Sequence, residues 1–495
     1  MPLFQTRWRY HLLPTDSKGS RIPTWRNVLF RRPITTLISV LLVITFALLT
    51  LLTLSKPVAN DAVVLAEDWR DFPQPKFPPL YEDVYEYERN LPQHNESLPF
   101  PEGADGRYLY QSSHAWGAGW NNAFQELLFQ SHLAFATQRA FVFDPYTWNP
   151  DPLQNYTEYN GHLIPSRIPL NALVSGPLAG AAFPDDNPNP RSVTKEYFEK
   201  VCPNPTILSG DDVPDAVDST DANFIMQKWI EKLQNTEDRC VKLQGNHAQI
   251  FPYFIFGYET LTETWSWFSK SPIVTHFAWS RLATSAMEAN LAFIKPIETF
   301  FDRLVSMFNS FMWGEKQGIY SQINGLLVLH VRRGDYAEHC VNLANWGALW
   351  MGWNTFPEFT DKLVLPTGQN VTEERHVIYM ERCWPTQEQI VAKVSAVLKT
   401  REAWGIRRIY VMTNAKVEWA AELRGKLMAI NGLETVTTSR DLRLSWTQKF
   451  VSHALDMFIG QRAQVFIGNG WSSMTANVVM LRMARGVQPG TNRFW

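Results

Sequence analysis

A chain of 495 residues exceeds one ordinary hydrophobic core and divides, at the usual domain size, into two or three units. A formal charge of -2 gives no basic surplus, which argues against nucleic acid as a partner. The 20 tryptophans suit sugar-stacking surfaces and packed cores alike.

The first legible element is a charge-free apolar run, Ile34 to Leu54, long enough to cross a bilayer as one helix. Arg7, Arg9, Lys18, Arg21, Arg26, Arg31 and Arg32 precede it against the single acid Asp16, whereas Asp61, Glu67, Asp68 and Asp71 follow. The positive-inside rule then predicts a cytoplasmic tail at 1–33, an anchor at 34–55 and a lumenal or extracellular remainder. A leader of this length favours an anchor over a cleaved signal peptide.

Residues 56–105 are rich in proline and acids with little apolar periodicity, which predicts a semi-extended stalk. Three glycosylation sequons begin at Asn95, Asn155 and Asn370, all on the predicted lumenal side. Cys202, Cys240, Cys340 and Cys383 also follow the span, where oxidation is permitted. Four cysteines allow three pairings. Cys202 with Cys240 and Cys340 with Cys383 keeps each bond within one proposed domain, and the spacings do not resemble a zinc site.

From Tyr108 the pattern changes. Gly117-Ala118-Gly119-Trp120-Asn121-Asn122 is a glycine turn feeding an amphipathic helix through Trp120, Phe124, Leu127, Leu128 and Phe135, with Asn122 and Gln125 spaced as an amino-terminal cap. Backbone amides exposed at such a turn suit an anion, though its glycine spacing fits neither a Walker loop nor a dinucleotide fingerprint. Ala140 to Phe143 follows as a strand. Residues 144–320 read as mixed α/β followed by helices.

Leu326 to Val331 is an apolar run that breaks into Arg332-Arg333-Gly334-Asp335, which predicts a buried parallel strand ending in charge. Alternation along a strand points His330 and Arg332 to one side and Arg333 to the other. Ligands of open α/β sheets bind at the carboxyl edge, and a guanidinium there matches phosphate oxygens two at a time. Equally, the same residues suit a structural ion pair. Beyond it, helices at 385–404, 416–430, 447–461 and 473–485 alternate with strands at 408–412, 434–437 and 465–468, which predicts a parallel sheet. Ser472, Ser473 and Thr475 in the last strand-to-helix turn suit either a phosphate or helix capping, and Asp456 reads as a solvated acid off its helix's apolar arc.

Taken together, these blocks resemble the fucosyltransferase superfamily that contains protein O-fucosyltransferases and α1,6-fucosyltransferases. His330-Val331-Arg332-Arg333-Gly334-Asp335 resembles its His-x-Arg-Arg-x-Asp block, whose first arginine, here Arg332, contacts the GDP-fucose diphosphate. Gly117 to Asn122, continued by Leu133 to Ala140, is similar to the amino-terminal glycine loop and helix. Val465 to Asn469 with Ser472-Ser473-Met474-Thr475 resembles the nucleotide block of protein O-fucosyltransferases, with Asp456 at the distance of the base-contacting aspartate.

The resemblance covers roughly residues 106–495 and is specific over its motif blocks. Two departures stand out. Ala118 occupies the place where some protein O-fucosyltransferases carry a catalytic glutamate, and Met474 replaces an aromatic residue.

The resemblance implies an α/β, GT-B-like fold behind the anchor and stalk, with two Rossmann-like domains facing a cleft: an acceptor-side domain at 106–320 and a nucleotide-sugar domain at 321–495. It implies an inverting fucosyltransferase with GDP-fucose as donor, a protein or glycan hydroxyl as acceptor, and Arg332 as the catalytic residue. The implied donor contacts are Gly117, Ala118, Gly119, Trp120, Asn121, Asn122, His330, Val331, Arg332, Asp456, Ser472, Ser473, Met474 and Thr475.

Asp335 and Glu338 are the alternative acids for the base that Ala118 lacks. No Asp-x-Asp pair ends a strand, so no metal cofactor is expected. An anchor with a stalk predicts a single-pass type II protein of the Golgi membrane, with the endoplasmic reticulum as the alternative. Two rival readings are a glycan fucosyltransferase of α1,6 or α1,2 type and a non-catalytic lumenal glycan-binding or glycoprotein-binding member of the fold.

Overall fold

The structure, a computed structural model, describes residues 75–111, 117–184, 187–297, 318–365 and 371–495. The predicted membrane span, the first part of the stalk and Asn370 lie outside these residues. Among the described residues no helix is long and apolar enough to cross a membrane.

In chain order the principal elements begin with α1 (Glu82–Arg89), β1 (Tyr108–Gln111), α2 (Trp120–Ala136), β2 (Ala140–Phe143), β3 (Val193–Thr194), α3 (Lys195–Val201), β4 (Thr206–Leu208), α4 (Ala222–Gln234), β5 (Cys240–Leu243) and α5 (Arg281–Ile294). There follow β6 (Ile323–Val331), α6 (Tyr336–Trp346), α7 (Val371–Cys383), α8 (Gln387–Val397), β7 (Arg408–Thr413), α9 (Val417–Met428) and β8 (Thr435–Thr438). The chain closes with α10 (Ser452–Arg462), β9 (Ala463–Gly468), α11 (Ser473–Ala484) and β10 (Asn492–Phe494).

The strands form two five-stranded sheets, ordered β3-β2-β1-β5-β4 and β8-β7-β6-β9-β10. Every pairing in both sheets is parallel. The α/β fold with parallel sheets expected from sequence is therefore present.

Alternation along β6 decides what each face touches. Leu327, Leu329 and Val331 pack with Ile390 and Val394 of α8 and Leu423 and Leu427 of α9. Leu326 and Val328 face the other way, into a cluster with Met287 of α5, Phe458 of α10 and Val478 of α11. That cluster also contains Leu109 of β1, Phe124 of α2 and Trp229 of α4, so one apolar core runs from the first sheet to the second. The far face of the first sheet is covered by Tyr197, Phe198 and Val201 of α3.

Four sequence expectations change in the structure. Residues 81–105, read as stalk, carry α1 and pack onto the body: Tyr81 and Leu91 are buried, the Tyr81 hydroxyl donates to the Thr447 carbonyl at 2.8 Å, and Gln93 donates to the Gly180 and Ser192 carbonyls. Their prolines obscured an ordered segment anchored by a few side chains. Secondly, α2 is buried on nearly every side from Ala123 to Ala134, and so is a central helix rather than an amphipathic one.

Thirdly, α2 starts earlier than its capping pattern suggested. Gly119 is the cap residue, and Asn122 already donates its amide to the Gly119 carbonyl. The burial of Trp120 against Phe124 and Tyr146 sets that start. Lastly, the helix expected at 447–461 is broken at Phe450 and Val451 into a short turn, Trp446–Lys449, and α10.

The cysteines join as Cys202–Cys240 and Cys340–Cys383. The first bond ties the end of α3 to β5, and the second ties α6 to α7. Asn95 and Asn155 are exposed, as sequons require.

Candidate functional site

A pocket of mixed polar and apolar lining lies at the carboxyl ends of β6, β7 and β8, where ligands of parallel sheets bind. It is lined by His330 and Val331 at the end of β6 and Arg332 just past it, by Met412 and Thr413 at the end of β7 and Asn414 just past it, and by Ser439, Arg440 and Leu442 after β8. Ser452, His453 and Asp456 of α10 and Met474 of α11 complete it.

The turn after β6 separates its two arginines. Arg333 is buried, with its guanidinium between the rings of Trp384 at 4.5 Å and Trp419 at 4.4 Å, and it donates to the Pro385 carbonyl. Burial lowers its pKa to about 10, still cationic at neutral pH. It is a structural cation.

Arg332 has weaker company. Its partners are Asp335 at 3.6 Å and the face of Tyr336 at 5.4 Å, and its Nε is buried without a hydrogen-bond partner. An exposed pair of this kind contributes roughly 0–1 kcal/mol, so the guanidinium can change partners cheaply. Gly334 has φ +75°, and a Cβ there would meet the Asn414 amide nitrogen at 3.0 Å. Asn414 is held in turn, since its side-chain oxygen accepts from the Arg333 amide at 2.7 Å. The turn thus needs glycine to keep Arg332 aimed at the pocket.

His330 stands beneath Arg332. Its Nδ1 is 2.8 Å from the Thr475 hydroxyl, and burial, with help from the Arg332 charge, pushes its pKa down to about 3. A ring held neutral in this way orients its neighbours and carries no charge at physiological pH.

Asp456 takes a different part from the solvated acid expected. Tyr410 of β7 donates to its Oδ1 at 2.5 Å, and the Ser439 hydroxyl lies 3.0 and 3.1 Å from its two oxygens. Desolvation nevertheless raises its pKa to about 6, against the lowering effect of those bonds. A carboxylate kept at such a cost inside a pocket is a functional-site signature. Its Oδ2 has acceptor capacity left for a ligand N–H.

The remaining predicted residues fall into two groups. Thr475 is fully buried and bridges His330 to the Asn469 amide, beneath the pocket rather than in it. Ser472 caps α11 without a side-chain cap bond, so helix capping does not explain it, and Ser473 opens the helix beside the pocket residue Met474. Gly117 to Asn122 forms the turn into α2. Tyr146 donates to the Ala118 carbonyl at 2.7 Å, Asn477 of α11 donates to the Asn121 carbonyl at 2.9 Å, and the Trp120 ring lies 6.3 Å from His453. These contacts bring the glycine turn up to α10 and α11 without placing it among the pocket's lining residues.

The turn after β9 is built by packing. Asn469 donates to the Cys383 carbonyl, and the Gly470 carbonyl accepts from Met351 and Asn354. A Cβ at Gly470 would lie 2.3 Å from the buried Trp350 ring. Gly470→Ala is expected to destabilise the protein by about 2–4 kcal/mol, at the upper end of overpacking costs, and to lower its melting temperature measurably.

Sequence reasoning missed Met412, Thr413, Asn414, Ser439, Arg440, Leu442, Ser452 and His453. Most of these are the first residues past two predicted strands, and the carboxyl-edge rule applied to every strand was the signal that would have found them. Among the described residues no group of three or more His, Cys, Asp or Glu side chains is placed to hold a metal ion.

The sequence profile of the family described as GDP-fucose protein O-fucosyltransferase matches residues 217–485. No curated protein sequence matches the chain. Among solved structures, POFUT1 in complex with GDP-fucose is similar at 14% identity and TM-score 0.46, over 78% of this chain and 97% of that one. NodZ α-1,6-fucosyltransferase soaked with GDP-fucose is similar at 11% identity and TM-score 0.31, over 76% of this chain and 92% of that one. A variant of Arabidopsis thaliana FUT1 in complex with GDP is similar at 11% identity and TM-score 0.32, over 83% and 79% of the respective chains.

Proposed function

The chain belongs to the GDP-fucose protein O-fucosyltransferase family, and from that premise we propose that it transfers fucose, with inversion, from GDP-fucose to a hydroxyl of a protein or glycan acceptor in the secretory pathway. The observation that carries this reading is one pocket holding both a loosely partnered guanidinium, Arg332, and a carboxylate with spare acceptor capacity, Asp456. An anionic diphosphate suits the first and the N–H edge of a guanine suits the second.

In this account Arg332 stabilises charge as it builds on the departing diphosphate. That interaction is stronger in the transition state than in the bound donor, which is what accelerates the step. Amides at Gly119 to Asn121 and of Ser473 at the start of α11 supply further donors, each at a helix amino terminus. His330 stays neutral and holds the strand end. Ala118 offers no carboxylate, so the acceptor hydroxyl gives its proton to solvent water late, after the bond to the diphosphate has largely broken and the new bond to the sugar carbon is forming.

The two sheets then serve as two Rossmann-like halves, at 106–320 and 321–495, with the second holding the nucleotide. The apolar run at 34–54 anchors the protein in the Golgi membrane as a type II protein. Charge is handled by arginine and amides, so no metal is required.

The test is GDP release from GDP-fucose by the full-length chain, offered a panel of peptide and glycan acceptors with and without a chelator. We expect release to depend on the acceptor, to proceed equally in both conditions, and to give a product of inverted anomeric configuration. Retained configuration, or complete loss of turnover with chelator, would contradict the mechanism.

A further inference from the structure

His453 has no part in the mechanism above, yet its position gives it one. It lies on α10 three residues before Asp456, so the two side chains project from neighbouring positions on one face of the helix. Both line the pocket with Arg332, Ser439 and Arg440. Asp456 is occupied by two hydroxyl donors, whereas the buried Nε2 of His453 has no hydrogen-bond partner. Buried polar atoms are rarely left so, and a pocket residue in that state calls for a ligand atom.

Depth in the pocket indicates which one. A helix that leads into a parallel strand starts at the carboxyl edge of the sheet and ends at the amino edge. The start of α10 is therefore level with the end of β6, where Arg332 emerges, and Asp456 lies one turn deeper, tied to Tyr410 of β7 and to Ser439. His453 is also the α10 residue whose ring faces Trp120, the first residue of α2, at 6.3 Å. It stands between the predicted base contact and the groups predicted to hold the diphosphate.

We infer that His453 is a further donor-binding residue of this pocket, with its imidazole hydrogen-bonded to a phosphate oxygen of the nucleotide diphosphate. The inference rests on the GDP-fucose reading of the site and adds a contact that the sequence blocks did not mark.

The assignment has a pH signature. The titratable and charged groups sharing the pocket with His453 are Asp456, His330, Arg332 and Arg440. Burial lowers the free His453 to about 4, so the ring is neutral at physiological pH. A phosphate beside it favours the imidazolium and raises that pKa, so GDP binding takes up a proton and this contact strengthens as pH falls. Asp456 acts in the opposite sense, because a guanine N–H needs the carboxylate, which is lost below about 6.

The experiment is calorimetric binding of GDP and of guanosine to the full-length chain, its His453→Phe variant and its His453→Gln variant. Phenylalanine keeps the ring contact with Trp120 and removes the hydrogen bond, while glutamine restores an N–H donor. We expect His453→Phe to weaken GDP about ten-fold, the scale of one hydrogen bond to a charged oxygen, and to leave guanosine unchanged. His453→Gln recovers most of the loss. The fall in GDP affinity on the acid side is steeper in His453→Phe than in the wild type. GDP affinity unchanged in His453→Phe overturns the inference while leaving the donor reading intact, and equal losses for GDP and guanosine overturn the diphosphate assignment. A wild-type chain that binds no GDP overturns both.

Discussion

Arg332→Ala is expected to lower fucosyl transfer by about 10²–10³-fold in kcat, the loss seen when one preorganised transition-state contact is removed. The protein should stay folded. Arg332 contributes to the fold only an exposed pair with Asp335 at 3.6 Å and a contact with Tyr336 at 5.4 Å, so its loss should cost at most about 1 kcal/mol. Arg332→Lys should fall between, since it keeps the charge and loses the planar fork.

The neighbouring arginine gives the contrast. Arg333→Ala removes a guanidinium held between two indole rings and leaves the Pro385 carbonyl without its donor. It should destabilise the fold by about 2–4 kcal/mol. Steady-state kinetics with thermal melts on both variants check the division. A stable, fully active Arg332→Ala protein would remove the proposed catalytic role.

Asp456→Asn is expected to weaken GDP binding by about 10–100-fold at neutral pH, because an amide has one oxygen, already engaged by Tyr410 and Ser439, and turns an NH2 toward the guanine N–H where the carboxylate keeps an acceptor. The pH dependence carries the sharper test. Burial raises the Asp456 pKa to about 6, so in the free protein the carboxylate is the major form above that pH and the neutral acid below it. A ligand that needs the carboxylate lowers this pKa on binding. Its affinity therefore holds above about 6 and declines as pH falls through that value. Asp456→Asn should lack this acid-side decline, so the two proteins converge as pH drops. Parallel profiles would show that Asp456 does not face the ligand.

How much of this was legible beforehand depended on burial. β6, β7 and β9 were readable because strands covered on both faces are continuous apolar runs, as in Leu326 to Val331 and Val465 to Ile467. β10 was not, since Asn492-Arg493-Phe494 has no apolar run. It is fixed by tertiary contacts, with the buried Arg482 donating to Asn492 at 2.6 Å and Arg493 paired with Asp361 at 2.8 Å. β1 is buried on both faces too, but at four residues its apolar run is too short to stand out from the chain around it.

Within the site, the motif residues His330 and Arg332 emerged from alternation alone, while Asp456 was misread by its helix pattern. Periodicity assumes that the polar side of a helix faces water, and on α10 it faces the pocket. Asn414, Ser439 and Arg440 belong to no motif block and are marked only by their place just past a strand end. They come together only because three parallel strands end at the same edge.

On the proposed function, the nucleotide of the donor occupies this edge. Hydrogen–deuterium exchange of the full-length chain with and without GDP tests it most directly. Protection is expected in peptides that span 330–335, 412–415, 438–442 and 452–457, with little change at the far ends of the same strands. Binding of GDP that protects none of these segments, or protects only others, would contradict it.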